Sequence, residues 1–221
     1  MIVQLASKSL WETEGKPALT YLTEKRGLLK PVIKDFGIGY VPQYVNLFLN
    51  GRIIYPIRDC YGNLVAVSTR HLFKPKKESF WHEEFEKSLH LFGIHIAKKA
   101  MIKHHKAVVV EGELDTLALQ SFGIPMTVGL CGGAFGIFQM ALLARYCNEV
   151  YLLLDPDSSG KSNTGKTIEK MKELVTDLKH RGILLIPCNL PGGYDPDDFA
   201  REFGKDGIIE MMKTEKQRYL A

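Results

Sequence analysis

Two rhythms of apolar and polar positions run along the chain. From the start, "SKSLWETEGKPALTYLTEKRGLL" places apolar residues at helical spacing, interrupted around Gly15 and Pro17. "FGIGYVPQYVN", rich in glycine and proline, predicts a loop. The β-branched runs "RIIYPIRD" and "LVAVSTRHL" flank the turn signal "CYGN", which predicts a β-hairpin from Arg52 to Leu72. Residues 73–90, "FKPKKESFWHEEFEKSLH", are polar and predict a loop with short helical pieces. No repeat or low-complexity tract interrupts the chain.

From Ala107 the rhythm changes. "AVVVE", "MTVGL", "VYLLLD" and "ILLIP" are short continuous apolar runs. Between them lie helical patterns: "ELDTLALQSFG", ending at Gly123, then "GIFQMALLARYC" and "KTIEKMKELVTDLKHRG". Strand and helix alternate, and the strands show no inside–outside alternation. Both features predict an α/β fold with a mostly parallel sheet buried by helices on its faces. The expected division is a smaller α+β lobe over residues 1–106 and the α/β domain over 107–221.

Composition changes this picture little. Of 221 residues, 45% are hydrophobic and 24% charged, which is ordinary for a globular protein. No apolar run approaches the ~20 residues of a membrane span, and the N-terminus lacks a basic start followed by an apolar core. A cytoplasmic protein is expected, in the host's cytoplasm if its source is a phage. The four cysteines, Cys60, Cys131, Cys147 and Cys188, stand singly. Their spacing suits neither a zinc ribbon nor a disulfide framework, so isolated cysteines in or near the core are expected.

Charge is more informative. The net charge is +4, but residues 1–106 hold 17 Lys+Arg against 9 Asp+Glu, and residues 107–221 hold 12 against 16. A basic front attracts a polyanion, whereas an acidic back holds cations. Solvated faces that merely differ are the plain alternative.

The acids of the second half fall where the strands end, which is where ligands bind in such sheets. Glu111 follows "AVVV", and Asp115 lies in the first turn of the next helix. Asp155 ends "YLLL", with Asp157 two residues on, and Asp195, Asp197 and Asp198 follow "ILLIP" in "GGYDPDDFA". Carboxylates gathered on one sheet edge repel one another unless cations neutralise them. Hard oxygen donors at that density suit Mg²⁺ or Mn²⁺. Individually each acid has a plainer use, and Asp197 is placed to cap the helix "DFAREFG".

A second motif competes for attention. Gly160 to Thr167 reads G-x-x-x-x-G-K-T, the P-loop pattern. A P-loop puts its first glycine directly at a strand's end. Here "DPDSS" intervenes, and the next strand, "ILLIP", ends without the metal-holding aspartate. The expectation is a loop in which Lys161 and Lys166 approach a bound phosphate or face solvent.

"VVVEGELD" and "LLLDPDSSG" match the E-G-x-x-D and D-x-D-x-x-G motifs of the Toprim fold, shared by bacterial primases, topoisomerases and some nucleases. Upstream, "LTYLTEKRGLLKPVIKDFGIGYVP", "IIYPIRDCYGNLVAVSTRHL" and "EKSLHLFGI" resemble primase segments. So does "DPDDFAREFGKDG" downstream, and together they span about Leu19 to Gly207. Two departures stand out: Ser68-Thr69 where the family tends to glycine, and Pro156 between the two aspartates.

The resemblance implies a primase catalytic core that makes short RNA on single-stranded DNA from ribonucleoside triphosphates with Mg²⁺ or Mn²⁺. It makes Asp155 and Asp157 metal ligands, completed by Glu111, Asp115, Asp195 and Asp197, with Glu111 also a candidate acid or base. It assigns Arg58, Arg70, Lys87 and Lys161 to template or nucleotide phosphates, against the plain alternative of surface charge. It implies a minimal core without zinc module or helicase-binding part, so a replicative helicase and a zinc-binding module in trans are expected partners, and no membrane. The rivals are a Toprim nuclease using the same carboxylates and a weakly active nucleic-acid-binding subunit.

Overall fold

The β-branched run Arg52–Arg58 (β2) pairs antiparallel with Leu64–His71 (β3), as the hairpin pattern predicts. The computed structural model describes residues 2–43, 48–74, 80–132, 134–154, 176 and 182–221. The chain divides into two compact units, Met1–Phe85 and Glu86–Ala221. The segment between 86 and 106 therefore goes with the second unit, not with the first lobe.

The first unit is a four-stranded antiparallel sheet in the order β1-β2-β3-β4. Its outer strands, Gly39–Val41 (β1) and Phe80–His82 (β4), fall in stretches that the sequence marks as loops. Gly39 explains the first. A Cβ there would stand 2.6 Å from the Ala6 carbonyl carbon, because helix Ile2–Ser9 (α1) lies directly on the strand. The glycine thus admits a helix rather than breaking a strand. The predicted N-terminal helix is a series: Lys16–Thr20 (α2) follows a 3₁₀ turn at Thr13–Gly15, runs into a π turn at Tyr21–Lys25, and precedes Lys30–Asp35 (α3).

The second unit begins with Ile94–His104 (α4), a helix that the pattern of residues did not mark. Four parallel strands follow: Lys106–Val110 (β5), Thr127–Gly129 (β6), Glu149–Leu152 (β7) and Leu184–Pro187 (β8). Their order is β6-β5-β7-β8. Glu113–Ser121 (α5) joins β5 to β6, Ile137–Leu143 (α6) joins β6 to β7, and Pro196–Leu220 (α7) follows β8. Val108, Val109, Val110 and Tyr151 are at most 1% exposed, as unalternating strands between two layers must be. The core of this unit joins Val108, Val110, Tyr151 and Ile186 to Phe199, Ile208 and Met212 of α7.

α7 is one helix in name only. Gly204 has φ 64° and ψ −167°, so the backbone turns sharply there. The P-loop-like stretch and the helix "KTIEKMKELVTDLKHRG" lie outside the described residues, apart from Thr176 and Gly182. All four cysteines are buried and unbridged, as expected. Among the described residues no helix is long and apolar enough to cross a membrane.

Candidate active site at the ends of the parallel strands

The strand order sets the site's position. From β5 the chain passes to β6 on one side and then to β7 on the other. From β7 it goes on to β8, away from β5, so neighbouring strands β5 and β7 are followed in the order by strands on opposite sides, the topological switch at whose carboxyl ends ligands bind in open α/β sheets. Glu111 is the first residue past β5, and Asp115 sits in the first turn of α5; both are half-buried. β7 is in register with β5, Val109 opposite Leu152. Leu153 and Leu154 continue from it, buried, to the edge of Asp155. Asp155, Asp157 and Lys161 lie outside the described residues.

Two glycines shape the β5 side. A Cβ on Gly112 would stand 2.8 Å from Asp115 Oδ2, so the carboxylate folds back over the loop that carries Glu111. A Cβ on Gly129 would meet Thr116 Oγ1 at 2.6 Å and the Gly112 carbonyl oxygen at 2.9 Å. Thr116 in turn donates to that carbonyl at 2.8 Å. Gly129 also exchanges backbone hydrogen bonds with Phe92, 2.8 and 3.1 Å, closing the sheet's edge. The acid-bearing turn is thus pressed against the end of β6, which tolerates no side chain there. Gly129 and Thr116 were not singled out in the sequence; the signal was the glycine closing the apolar run "MTVG".

After β8 the acids divide by task. Asp195, half-buried, is the N-cap of α7, its Oδ1 accepting from the Asp198 N–H at 2.7 Å. The capping position expected for Asp197 therefore belongs to Asp195. Asp197 is buried, and Arg201 one turn on pairs with it, its Nη2 donating to Oδ2 at 3.1 Å and its Nε 3.0 Å from Oδ1. Among the described residues no three or more His, Cys, Asp or Glu side chains are gathered as a metal cage. The donors that are placed, Glu111, Asp115 and Asp195, are hard carboxylate oxygens, the type that Mg²⁺ and Mn²⁺ take.

Gln139 is a residue the sequence reading passed over. It is fully buried in α6. Its Oε1 accepts from the Gly136 N–H at 3.1 Å, and its Nε2 donates to the carbonyls of Lys87 and His90 at 3.0 and 3.1 Å. One amide thus caps α6 and fixes the turn that carries Lys87. Its signal was a polar residue inside the apolar pattern "IFQMALL".

Within the first unit the cationic candidates differ. Arg58 donates to the Gly62 carbonyl at 2.9 Å and so serves the hairpin turn. In that turn Asp59 also accepts from the Tyr61 and Asn63 N–H groups, and the Asn63 side chain holds its carboxyl below the ordinary range, with the backbone donors adding to the effect. Arg70 is half-exposed, its guanidinium 4.8 Å from the Phe80 ring centre and 5.3 Å from that of Tyr21. Lys25 and Arg26 lie over the same Tyr21 ring at 5.9 and 5.6 Å, and Arg26 also donates to its hydroxyl at 2.9 Å.

Residues 108–200 match the Toprim-like family. A DNA primase of Aquifex aeolicus is 33% identical over 175 residues, 77% of this chain and 34% of that protein. One of Synechococcus elongatus is 32% identical over 248 residues, 95% of this chain and 35% of that protein. The chain spans about a third of the length of these curated relatives. Among solved structures, the E. coli primase catalytic core aligns at TM-score 0.83 and 26% identity, covering 96% of this chain and 77% of that one. A DnaG primase catalytic domain bound to single-stranded DNA aligns at 0.82 and 26%, covering 96% and 78%. The expected α/β fold is borne out, and the chain is a relative of bacterial DNA primases, with a Toprim-like segment and the fold of their catalytic core.

Proposed function

We propose that the chain carries out primase chemistry, the templated synthesis of short RNA on single-stranded DNA. The observation that supports this reading is that Glu111 and Asp115 follow β5 and Asp195 follows β8, two strands of one parallel sheet. Asp155 and Asp157 follow the neighbouring strand in sequence. Single-stranded DNA bound to a structurally similar catalytic domain supports the choice of template.

In the reaction, a ribose 3′-hydroxyl oxygen bonds to the α-phosphorus of an incoming nucleoside triphosphate. The bond from that phosphorus to the bridging oxygen breaks, and pyrophosphate leaves. Glu111, the first residue past β5, takes the hydroxyl proton. Asp155, Asp157, Asp115 and Asp195 would hold Mg²⁺ or Mn²⁺, which would supply positive charge to the attacking and leaving oxygens. Asp197, already paired with Arg201, fixes the first turn of α7 and so the position of Asp195.

Arg70, stacked between rings, and Lys87, fixed by Gln139, contact template or nucleotide phosphates. Lys161 joins them, and Arg58, already bonded to the Gly62 carbonyl, contributes more weakly. A replicative helicase and a zinc-binding module are its partners, and a cytoplasmic setting, a host's for a phage protein, suits that work.

The test incubates the chain with a single-stranded template, labelled ribonucleotides and Mg²⁺ or Mn²⁺. New oligonucleotides, lost by at least about 100-fold in Asp155→Asn and Asp157→Asn, are expected. Shortened template in place of new product replaces this reading with a nuclease. Binding without either product replaces it with a non-catalytic subunit.

A further inference from the structure

The edge of the parallel sheet opposite the acids carries a second cavity. It holds about 350 Å³ beside the amino ends of β5 and β6. Its apolar wall is Ile124, Pro125, Met126, Ile209 and Met212. Around it stand four basic side chains, His104, Lys106, Lys205 and Lys213, and among the described residues no acid lines it. Lys205 runs over Gly123, whose Cβ would come within 3.4 Å of its Cδ.

Two of these lysines have weak partners: Lys213 reaches Glu210 at 3.3 Å on the exposed helix surface, and Lys106 reaches Glu149 at 3.9 Å. Glu149 is also bound by Lys216 and by the Tyr151 hydroxyl, so it neutralises Lys106 only in part.

We propose that this cavity docks an acidic peptide segment through one bulky apolar side chain. Charge complementarity sets the sign of the partner, and spacing sets its form. Lys205 and Lys213 are eight residues apart on the regular part of α7, about 12 Å along its axis. A single compact anion cannot bridge them, whereas an extended peptide covers that distance in about four residues.

A nucleic acid also offers spaced negative charge, but single strands are held by stacking on aromatic rings and by arginine forks. The cavity has aliphatic and thioether walls and only lysine and histidine around it. Methionines adapt to varied apolar anchors, and a lysine-ringed apolar pocket suits a side chain flanked by carboxylates. The site faces away from the proposed catalytic edge, so its occupancy leaves the chemistry open.

The experiment measures fluorescence anisotropy of a labelled Asp-Asp-Leu-Asp-Asp peptide against the full chain. Saturable binding is expected, weakened roughly tenfold or more by Lys205→Glu combined with Lys213→Glu, and weakened similarly when serine replaces the peptide's leucine. Lys205→Gln with Lys213→Gln serves if charge reversal lowers the melting temperature. Synthesis on a single-stranded template stays at the unmodified level in these variants. Absence of saturable binding, indifference to the lysine substitutions, or equal binding of the serine peptide overturns the proposal. So does an oligo-deoxythymidine that binds as tightly and loses affinity in the same variants, because the surface would then be a nucleic-acid one.

Discussion

In the antiparallel unit, Arg52, Arg58 and Arg70 rest on neutral groups; in the parallel unit, Arg201, Arg218 and Lys216 rest on carboxylates. Arg70 lies against the rings of Phe80 and Tyr21, Arg58 against a turn carbonyl, and Arg52 donates to the Thr69 hydroxyl at 3.1 Å. By contrast, Arg201 pairs with Asp197, Arg218 with Glu215, and Lys216 with Glu149. A cation on a ring face is held in place with its charge intact. A cation paired with a carboxylate is spent locally. Residue type therefore says little about role in this protein. The partner decides whether an arginine remains available to a phosphate or anchors a helix.

The comparison breaks first at glycine. Gly129→Ala forces a Cβ against Thr116 and Gly112 and is expected to destabilise the parallel unit by about 2–3 kcal/mol. Gly39→Ala, against the backbone of α1, is expected to do the same to the antiparallel unit. Hydrogen exchange separates them: β5–β8 should open faster in the first variant and β1–β4 in the second. Uniform acceleration in both would show that the units unfold as one.

The two arginines give a finer contrast. Arg201→Ala takes from buried Asp197 the cation paired with it. It is expected to cost about 2 kcal/mol in denaturant unfolding, after allowance for the partial exposure of Arg201. Adding Asp197→Asn should recover much of that loss, and no recovery would mean that the pair is not what the fold needs.

Glu149 tests the paired unit by pH. Burial pushes its carboxyl up, but the hydrogen bonds from Lys216 and Tyr151 and the charges of Lys216 and Lys106 together bring it below the ordinary glutamate range. With the folded value below the unfolded one, its stabilisation is fully present above about pH 4.3. It is lost as pH falls through the lower folded value. Glu149→Gln should lower stability by roughly 1 kcal/mol near neutrality and flatten the fall in acid. Melts across that range check the slope.

Arg70→Ala should be the mildest to stability, below about 1 kcal/mol. It should still flatten the salt dependence of single-strand binding by about 0.7 in log–log slope. Arg70→Lys should keep the slope and lose affinity, because an ammonium is a point charge without the planar fork and stacking face. A large stability loss with an unchanged slope would put Arg70 with Arg201.

What was legible followed from periodicity of sufficient length. The four buried runs of the parallel sheet and the hairpin were readable because each repeats its pattern over several residues. β6 is as short as β1 and β4, but it lies in the apolar run "MTVGL", whereas β1 is flanked by Gly37 and Pro42 and β4 lies in a polar stretch; Gly39 reads as a loop until α1 is seen lying on it. α4 was hidden by the charged "KK" and "KHH" within "IHIAKKAMIKHH". At the candidate site, Glu111, Asp115 and Asp195 could be placed from strand ends alone. Gln139 and Gly129 act through contacts with residues distant in sequence, which a linear pattern does not hold. The pairing of Asp197 with Arg201 shows in the sequence only as an i, i+4 spacing, one that the neighbouring Asp195 and Asp198 do not share.

The break at Gly204 gives α7 the mechanics of a cranked lever. Its short arm carries Asp195 and Asp197 towards the strand ends, and its long arm lies along the sheet through Ile208 and Met212. The backbone there occupies a region that essentially only glycine visits. A side chain at 204 would favour one straight rod, and a straight rod cannot seat both arms. The angle between acid-bearing tip and core-bound shaft is thus written in a single missing Cβ, and straightening it would detach the tip from its place without touching an acid.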